Sequence, residues 1–271
     1  MQSQNSLNLS NGIFFKLKSS FKKLYKNSNF YEKRISKTFD NNFEYKPSPH
    51  LLSSIIRYQK KKYKIEDFAT EAIWKNNISS KDFKKLNNFF WFFSLDLKSS
   101  KETTQSIILN WINKNEKFDE NIWEFNITAK RIIAWLSNHQ LTYEDSNEEY
   151  RLFFNHMLQK QTNHLLNEIK NLSEIEEKLI GCAAIILTGL AYKDEKNYLD
   201  SGLNILKNII KQSLDKQGFP RSRSIQNLVF YLKYLIIIRE WFKESQNPIP
   251  EYVDETIYYL GSSYAFIWQN I

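Results

Sequence analysis

Apolar residues recur at steps of three and four along most of this chain, and the pattern breaks at a few polar, Gly- or Pro-containing stretches. That period belongs to helices that bury one face. Phe14, Leu17, Phe21, Leu24, Tyr31 and Ile35 keep it across residues 11–37, with Lys16, Lys18, Lys22, Lys23 and Lys26 between them. The spacing predicts a basic amphipathic helix, which either docks on its own domain or lies on an anionic membrane. Pro47 and Pro49 mark Asn41–Pro49 as a linker. Residues 1–46 therefore read as an N-terminal helix and linker, and 47–271 as the main domain.

A short helix is expected around Leu51–Gln59, followed by an irregular stretch over Tyr63–Trp74. Phe83, Leu86, Phe90, Phe93 and Leu97 predict a regular helix from Ser79, and Ser99 or Ser100 can cap the next one, with Ile108, Trp111 and Ile112 on its buried side. Helices follow over Trp123–Leu141 and 146–170. Ser173 with Glu176 three residues later is a capping-box signature for a helix that runs to Tyr192 and is apolar nearly all round. Residues 195–214 return to a one-sided pattern, Leu228–Phe242 is again apolar on most faces, and Val253, Ile257, Leu260, Tyr264 and Ile267 predict a last helix.

Helices buried on one side alternate here with helices buried on all sides. An inner and an outer layer of antiparallel helix pairs would produce that mixture. The fold class expected is all-α, and an incomplete α/α toroid of antiparallel helix pairs is preferred to a solenoid because no fixed-period repeat is visible. The 6 Gly and 5 Pro in 271 residues are too few for an all-β architecture.

Composition narrows the partners. A net charge of +8 favours polyanions, namely acidic polysaccharide, nucleic acid or an anionic membrane, although a solvated Lys- and Asn-rich surface would also produce it. Cys182 is the only cysteine, so neither an intrachain disulfide nor a thiolate metal site is expected. His50, His139, His156 and His164 are not paired as metal ligands; His156 and His164 lie about 12 Å apart along a helix. Neither a metal nor a cofactor is expected. No secretory signal or membrane span is apparent, which leaves the cytoplasm as the default compartment.

The stretch Asp215-Lys216-Gln217-Gly218-Phe219-Pro220-Arg221-Ser222-Arg223-Ser224 stands out as a polar seam between apolar helices. Arg221, Ser222 and Arg223 on such a turn could hold an anionic ligand, or could simply be solvated. Trp123, Arg131 and Trp135 could form a carbohydrate platform, with indole faces on sugar rings and the guanidinium on a carboxylate or sulfate. Alternatively, both tryptophans pack in the core and Arg131 closes an internal ion pair. Glu176 and Glu177 are candidate catalytic carboxylates, although favourable placement in a helix's first turn also explains them.

Three segments resemble the helical N-terminal domain of the heparinase II/III family in its alphaproteobacterial form. Asn87-Asn88-Phe89-Phe90-Trp91-Phe92-Phe93-Ser94-Leu95-Asp96-Leu97 is similar to that family's "LHxFxWLxxL" helix, and Trp123 through Leu136 to its "WxxxxxAxRxxxWL". The block from Gln161 to Ser224 is similar to the part that ends in an Asp-Gly-Gly turn and an Arg-Ser-Pro element. The resemblance implies an α/α toroid, a β-sandwich-like domain in complete members, and polysaccharide lyase chemistry by β-elimination at a uronic acid. It also implies an Asn or Glu from the helical domain, a Tyr after the seam and a His from the β domain. Here the relatives' Asn-His pair falls near Glu176-Glu177, and Ile225 stands where the tyrosine is expected. The nearest tyrosines are Tyr231 and Tyr234. The expectation is a helical domain that binds acidic polysaccharide or oligosaccharide and is incomplete as a catalyst alone, with a separately encoded β domain as a partner. The other reading is a non-enzymatic scaffold for protein, nucleic acid or membrane.

Overall fold

The computed structural model describes residues 20–38, 44–49, 51–52, 79–192 and 196–269. The expected helix at Leu51–Gln59 lies largely outside these residues, and the irregular stretch at Tyr63–Trp74 lies wholly outside them. The described chain is all-α, with no β-strand among its residues. In order, the helices are α1 (Asn29–Ile35), α2 (Ser80–Asn87), α3 (Lys101–Asn115), α4 (Phe125–Ser137), α5 (His139–Thr142), α6 (Glu148–Glu168), α7 (Ile175–Ala191), α8 (Lys196–Ser213), α9 (Ile225–Glu244) and α10 (Glu251–Gln269). Short 3-10 turns lie at Phe90–Ser94 and Ile169–Asn171.

α7 is the hub, because its sequence leaves no face for water. Every residue from Leu179 to Ala191 is buried, and the helix packs on α8 most extensively, then on α4, α9 and α6. Small residues let the neighbours approach. At Gly189 an added Cβ would lie 2.5 Å from the Leu199 backbone nitrogen of α8, a separation that only a shift of the helices could relieve. Around this centre, α9 pairs with α10, and α3 packs on α5 and α6.

The expected regular helix from Ser79 is interrupted. α2 ends at Asn87, and Phe89 takes the left-handed backbone region with φ 56° before the 3-10 turn begins. That conformation is unusual for a bulky side chain. The Phe89 ring is fully buried, edge-on to Trp135 at 5.3 Å and to Trp111 at 5.9 Å, and this packing offsets the backbone strain. Ser100 does cap α3, its hydroxyl accepting from the Thr103 amide at 3.1 Å. The capping box at Ser173 and Glu176 does not form. Glu174 is the N-cap residue of α7 without a side-chain cap bond, and the Ser173 hydroxyl donates to Glu174 instead.

The basic N-terminal segment is two helical pieces rather than one. Residues 20–26 are helical, the chain turns at Asn27 and Ser28, and Ser28 caps α1. Tyr31 and Ile35 enter the common core. The lysines meet carboxylates: Lys22 and Lys26 reach Glu168 at 2.9 and 2.6 Å, and Lys23 reaches Glu120 at 3.0 Å. Docking therefore uses much of the charge that would have attracted a membrane. Residues 11–19 of the expected helix lie outside the described residues.

Tyr31 also donates its hydroxyl to Nδ1 of the buried His164, 2.6 Å away. Burial, and then the nearby Lys26, hold the His164 imidazole down at about 3, from an ordinary 6.5. The folded pKa is depressed, so this contribution to stability is complete above pH 6.5 and drains as pH falls toward 3.

Two outcomes follow. Gly189→Ala should destabilise the protein by about 1–3 kcal/mol in urea melts, because the α7–α8 contact is backbone on backbone. Below pH 6.5, unfolding free energy should fall with a slope of up to ~1.4 kcal/mol per pH unit from this residue, and His164→Gln should flatten that part of the profile.

Candidate functional site

The seam is a small closed turn. Leu214 and Pro220 form an antiparallel bridge just after α8, and the Arg221 amide donates to the Ser213 carbonyl at 2.8 Å. Oδ1 of Asp215 accepts from the Gln217 and Phe219 amides at 2.9 and 3.0 Å, while Oδ2 pairs with Nη1 of Arg223 at 2.8 Å. The Phe219 amide, followed by Gln217 and Arg223, holds the Asp215 carboxyl below the usual carboxylate range. Gly218 closes the turn at φ 75°, where a side chain would be strained. Its missing Cβ also leaves room for Tyr259 of α10, whose Cβ would stand 2.4 Å away.

The two seam arginines therefore differ. Arg223, with φ 56°, is bound to Asp215 and lies over the Phe219 ring at 5.5 Å, so it braces the turn. The exposed Arg221 has no ion pair among the described residues. Ser222 faces the other way along the chain: its hydroxyl accepts from the Asn227 side chain at 3.2 Å at the start of α9, and Ser224 caps that helix.

Where the seam meets α10 there is an open groove of about 290 Å³. Its polar lining includes Lys211, Lys216, Arg221, Glu255 and Tyr259, above an apolar floor of Ile210 and Leu214. Lys211 and Lys216 are exposed and, among the described residues, have no carboxylate partner. Tyr259 is 42% exposed, beside the more exposed Tyr258.

On the far side of α9, Tyr231 donates to Oε1 of Glu176 at 3.3 Å. Burial, then the Glu176 charge, push the Tyr231 phenol up to about 12, with the Asn227 side chain pulling the other way. At neutral pH this phenol is a proton holder and hydrogen-bond donor, not a base. The Ser222–Asn227 and Tyr231–Glu176 hydrogen bonds thus lie one after the other, the first at the seam and the second at the start of α7. Glu177 shares this end of α7 with half-buried Lys130 of α4, whose ammonium burial pulls down while Glu177 raises it.

Arg131 and Trp135 lie elsewhere, and the sugar platform read from them is incorrect. Both are completely buried. Nε of Arg131 donates to Gln161 at 2.8 Å, Nη1 to the Asn87 and Ile122 carbonyls at 2.8 and 3.2 Å, and Nη2 to Thr128 at 3.2 Å. The guanidinium also stacks over Trp111 at 4.1 Å. Nor does it close an ion pair: among the described residues its partners are neutral, and burial alone lowers its affinity for its proton. The fork fixes the chain ends around α2 and α4. Of the groove residues only Arg221 stands out in the sequence as a ligand-binding candidate; Lys211, Lys216 and Tyr259 do not, because they are scattered across α8, the seam and α10.

Among the described residues no group of three His, Cys, Asp or Glu side chains could hold a metal ion, and no helix is long and apolar enough to cross a membrane. No family model, curated protein or solved structure matches the chain.

Arg131→Lys should destabilise the protein by about 1–3 kcal/mol for each buried acceptor left without a donor, because an ammonium cannot reproduce the fork. Denaturant melts measure this, and a fully stable variant would show that the fork is dispensable.

Proposed function

We propose that this chain is a helical domain of the heparinase II/III type, its helix pairs arranged as an incomplete α/α toroid, and that it binds acidic polysaccharide at the seam. The observation that carries the reading is charge left unspent. Asp215 engages both oxygens within the turn and with Arg223, while Arg221, Lys211 and Lys216 remain exposed without a carboxylate partner among the described residues. Tyr259 of α10 lines the same groove as these cations, an arrangement suited to a sugar ring that carries carboxylate or sulfate.

β-Elimination needs three parts: neutralisation of the uronate, a base for the proton α to it, and an acid for the leaving oxygen. The seam cations are suited to the first, and protonated Tyr231 to donating. Glu176 already accepts from Tyr231, and His164 is buried against Tyr31, so neither is an unengaged base. The chain alone is therefore read as a binder, with a separate β domain supplying the missing base. The nucleic-acid and membrane readings are weaker, because Lys22, Lys23 and Lys26 are paired within the fold.

The test is retention on immobilised heparin and alginate at low salt. Retention should be strong for the wild-type chain and fall roughly tenfold in affinity, ~1.4 kcal/mol, for Arg221→Ala. Arg223→Ala should lower thermal stability more than affinity. The chain alone should yield no ultraviolet-absorbing unsaturated uronate, and absence of retention on every acidic glycan would overturn the reading.

A further inference from the structure

The groove between the seam and α10 has a shape and a charge balance that the binding of a long polymer does not by itself require. Asp215 is fully engaged by two amides and Arg223, so Glu255 is the one lining carboxylate not committed to the turn, against three cations: Lys211, Lys216 and Arg221. The cations come from the end of α8 and from the seam, whereas Tyr259 comes from α10. At about 290 Å³ the groove sits at the lower edge of the ~300–1,000 Å³ typical of small-molecule sites. It offers room for one ring with its substituents, on a floor of Ile210 and Leu214.

We propose that this groove is a subsite for a single acidic sugar unit, its carboxylate or sulfate held by Lys211, Lys216 and Arg221 and its ring face laid on Tyr259. Glu255 accepts a sugar hydroxyl, and this also disfavours a second negative charge at that end. Gly218 matters through what it lacks: its bare Cα lets Tyr259 sit against the turn and sets the ring beside the cations. An ammonium pair and a guanidinium on one oxyanion give charge-assisted hydrogen bonds, while the tyrosine face excludes water from the ring. The inference rests on the acidic-glycan reading and adds to it which unit is gripped, and where.

Calorimetric titration of the full chain with a uronate disaccharide, a sulfated disaccharide and a neutral disaccharide tests it, alongside polymer retention. The variants are Lys211→Gln/Lys216→Gln and Tyr259→Ala; all three positions are exposed, and circular dichroism checks their folding. At least one acidic disaccharide should bind the wild-type chain and lose about tenfold or more in both variants, and the neutral one should not bind; the preferred acidic probe identifies the oxyanion. Unchanged disaccharide affinity in the variants, or no disaccharide binding by a chain that the polymer still retains, overturns the subsite and leaves the polymer reading standing. Disaccharide binding that depends on Lys211, Lys216 and Tyr259, without retention by any polymer, supports the subsite and overturns the polymer reading.

Discussion

A helix without a polar face has to be enclosed, and the need to enclose α7 shapes the rest of this protein. Burying a run of Leu, Ile, Ala and Cys on every side demands at least three neighbours, and α4, α8 and α9 supply them. The driving force is the usual gain from removing apolar surface from water. The close approach depends on small residues: α8 comes near enough to α7 that Gly189 has no space for a methyl group. Because α8 and α9 both lie on α7, the seam that joins them is held at both ends.

The same enclosure buries polar groups inside the core, and two of the chain breaks are satisfied by one side chain. Chain breaks at Asn87 and Ile122 leave carbonyls without helical partners, and the Arg131 guanidinium takes both. Lys160, nearly as buried, is bound by Glu32 and by the Glu116 carbonyl, which ties α6 to the N-terminal segment. A buried cation bound by several acceptors of its own chain is structural, however much it resembles a ligand-binding group in the sequence.

What remains for recognition lies at the periphery of this framework. The seam fixes its own acidic residue by hydrogen bonds to amides and to Arg223, and the neighbouring Lys211, Lys216 and Arg221 are left without a carboxylate partner among the described residues. Across α9, the phenol of Tyr231 is held protonated against Glu176, one helix away from the groove. The Ser222–Asn227 contact ties the seam to the start of α9, the helix that carries Tyr231.

The hydrophobic period and its Gly- and Pro-containing breaks by themselves determined the all-α class, the approximate position of most helices, the enclosure of the helix after Ser173 and the turn at Gly218, because these depend on neighbours within a few residues. It misled where the outcome depends on distant partners. The helix predicted from Ser79 breaks at Phe89 because burial between Trp111 and Trp135 outweighs the local preference. Ser173 loses its capping box to Glu174. Arg131 and Trp135 carry the residue types of a sugar site, and only the packing of α2, α4 and α6 around them decided that they are core. The reverse holds for Lys211, Lys216 and Tyr259, which are unremarkable in sequence and meet Arg221 only because α8, the seam and α10 converge. Spacing along a chain reports which face a side chain takes, whereas what stands opposite that face is a property of the tertiary structure.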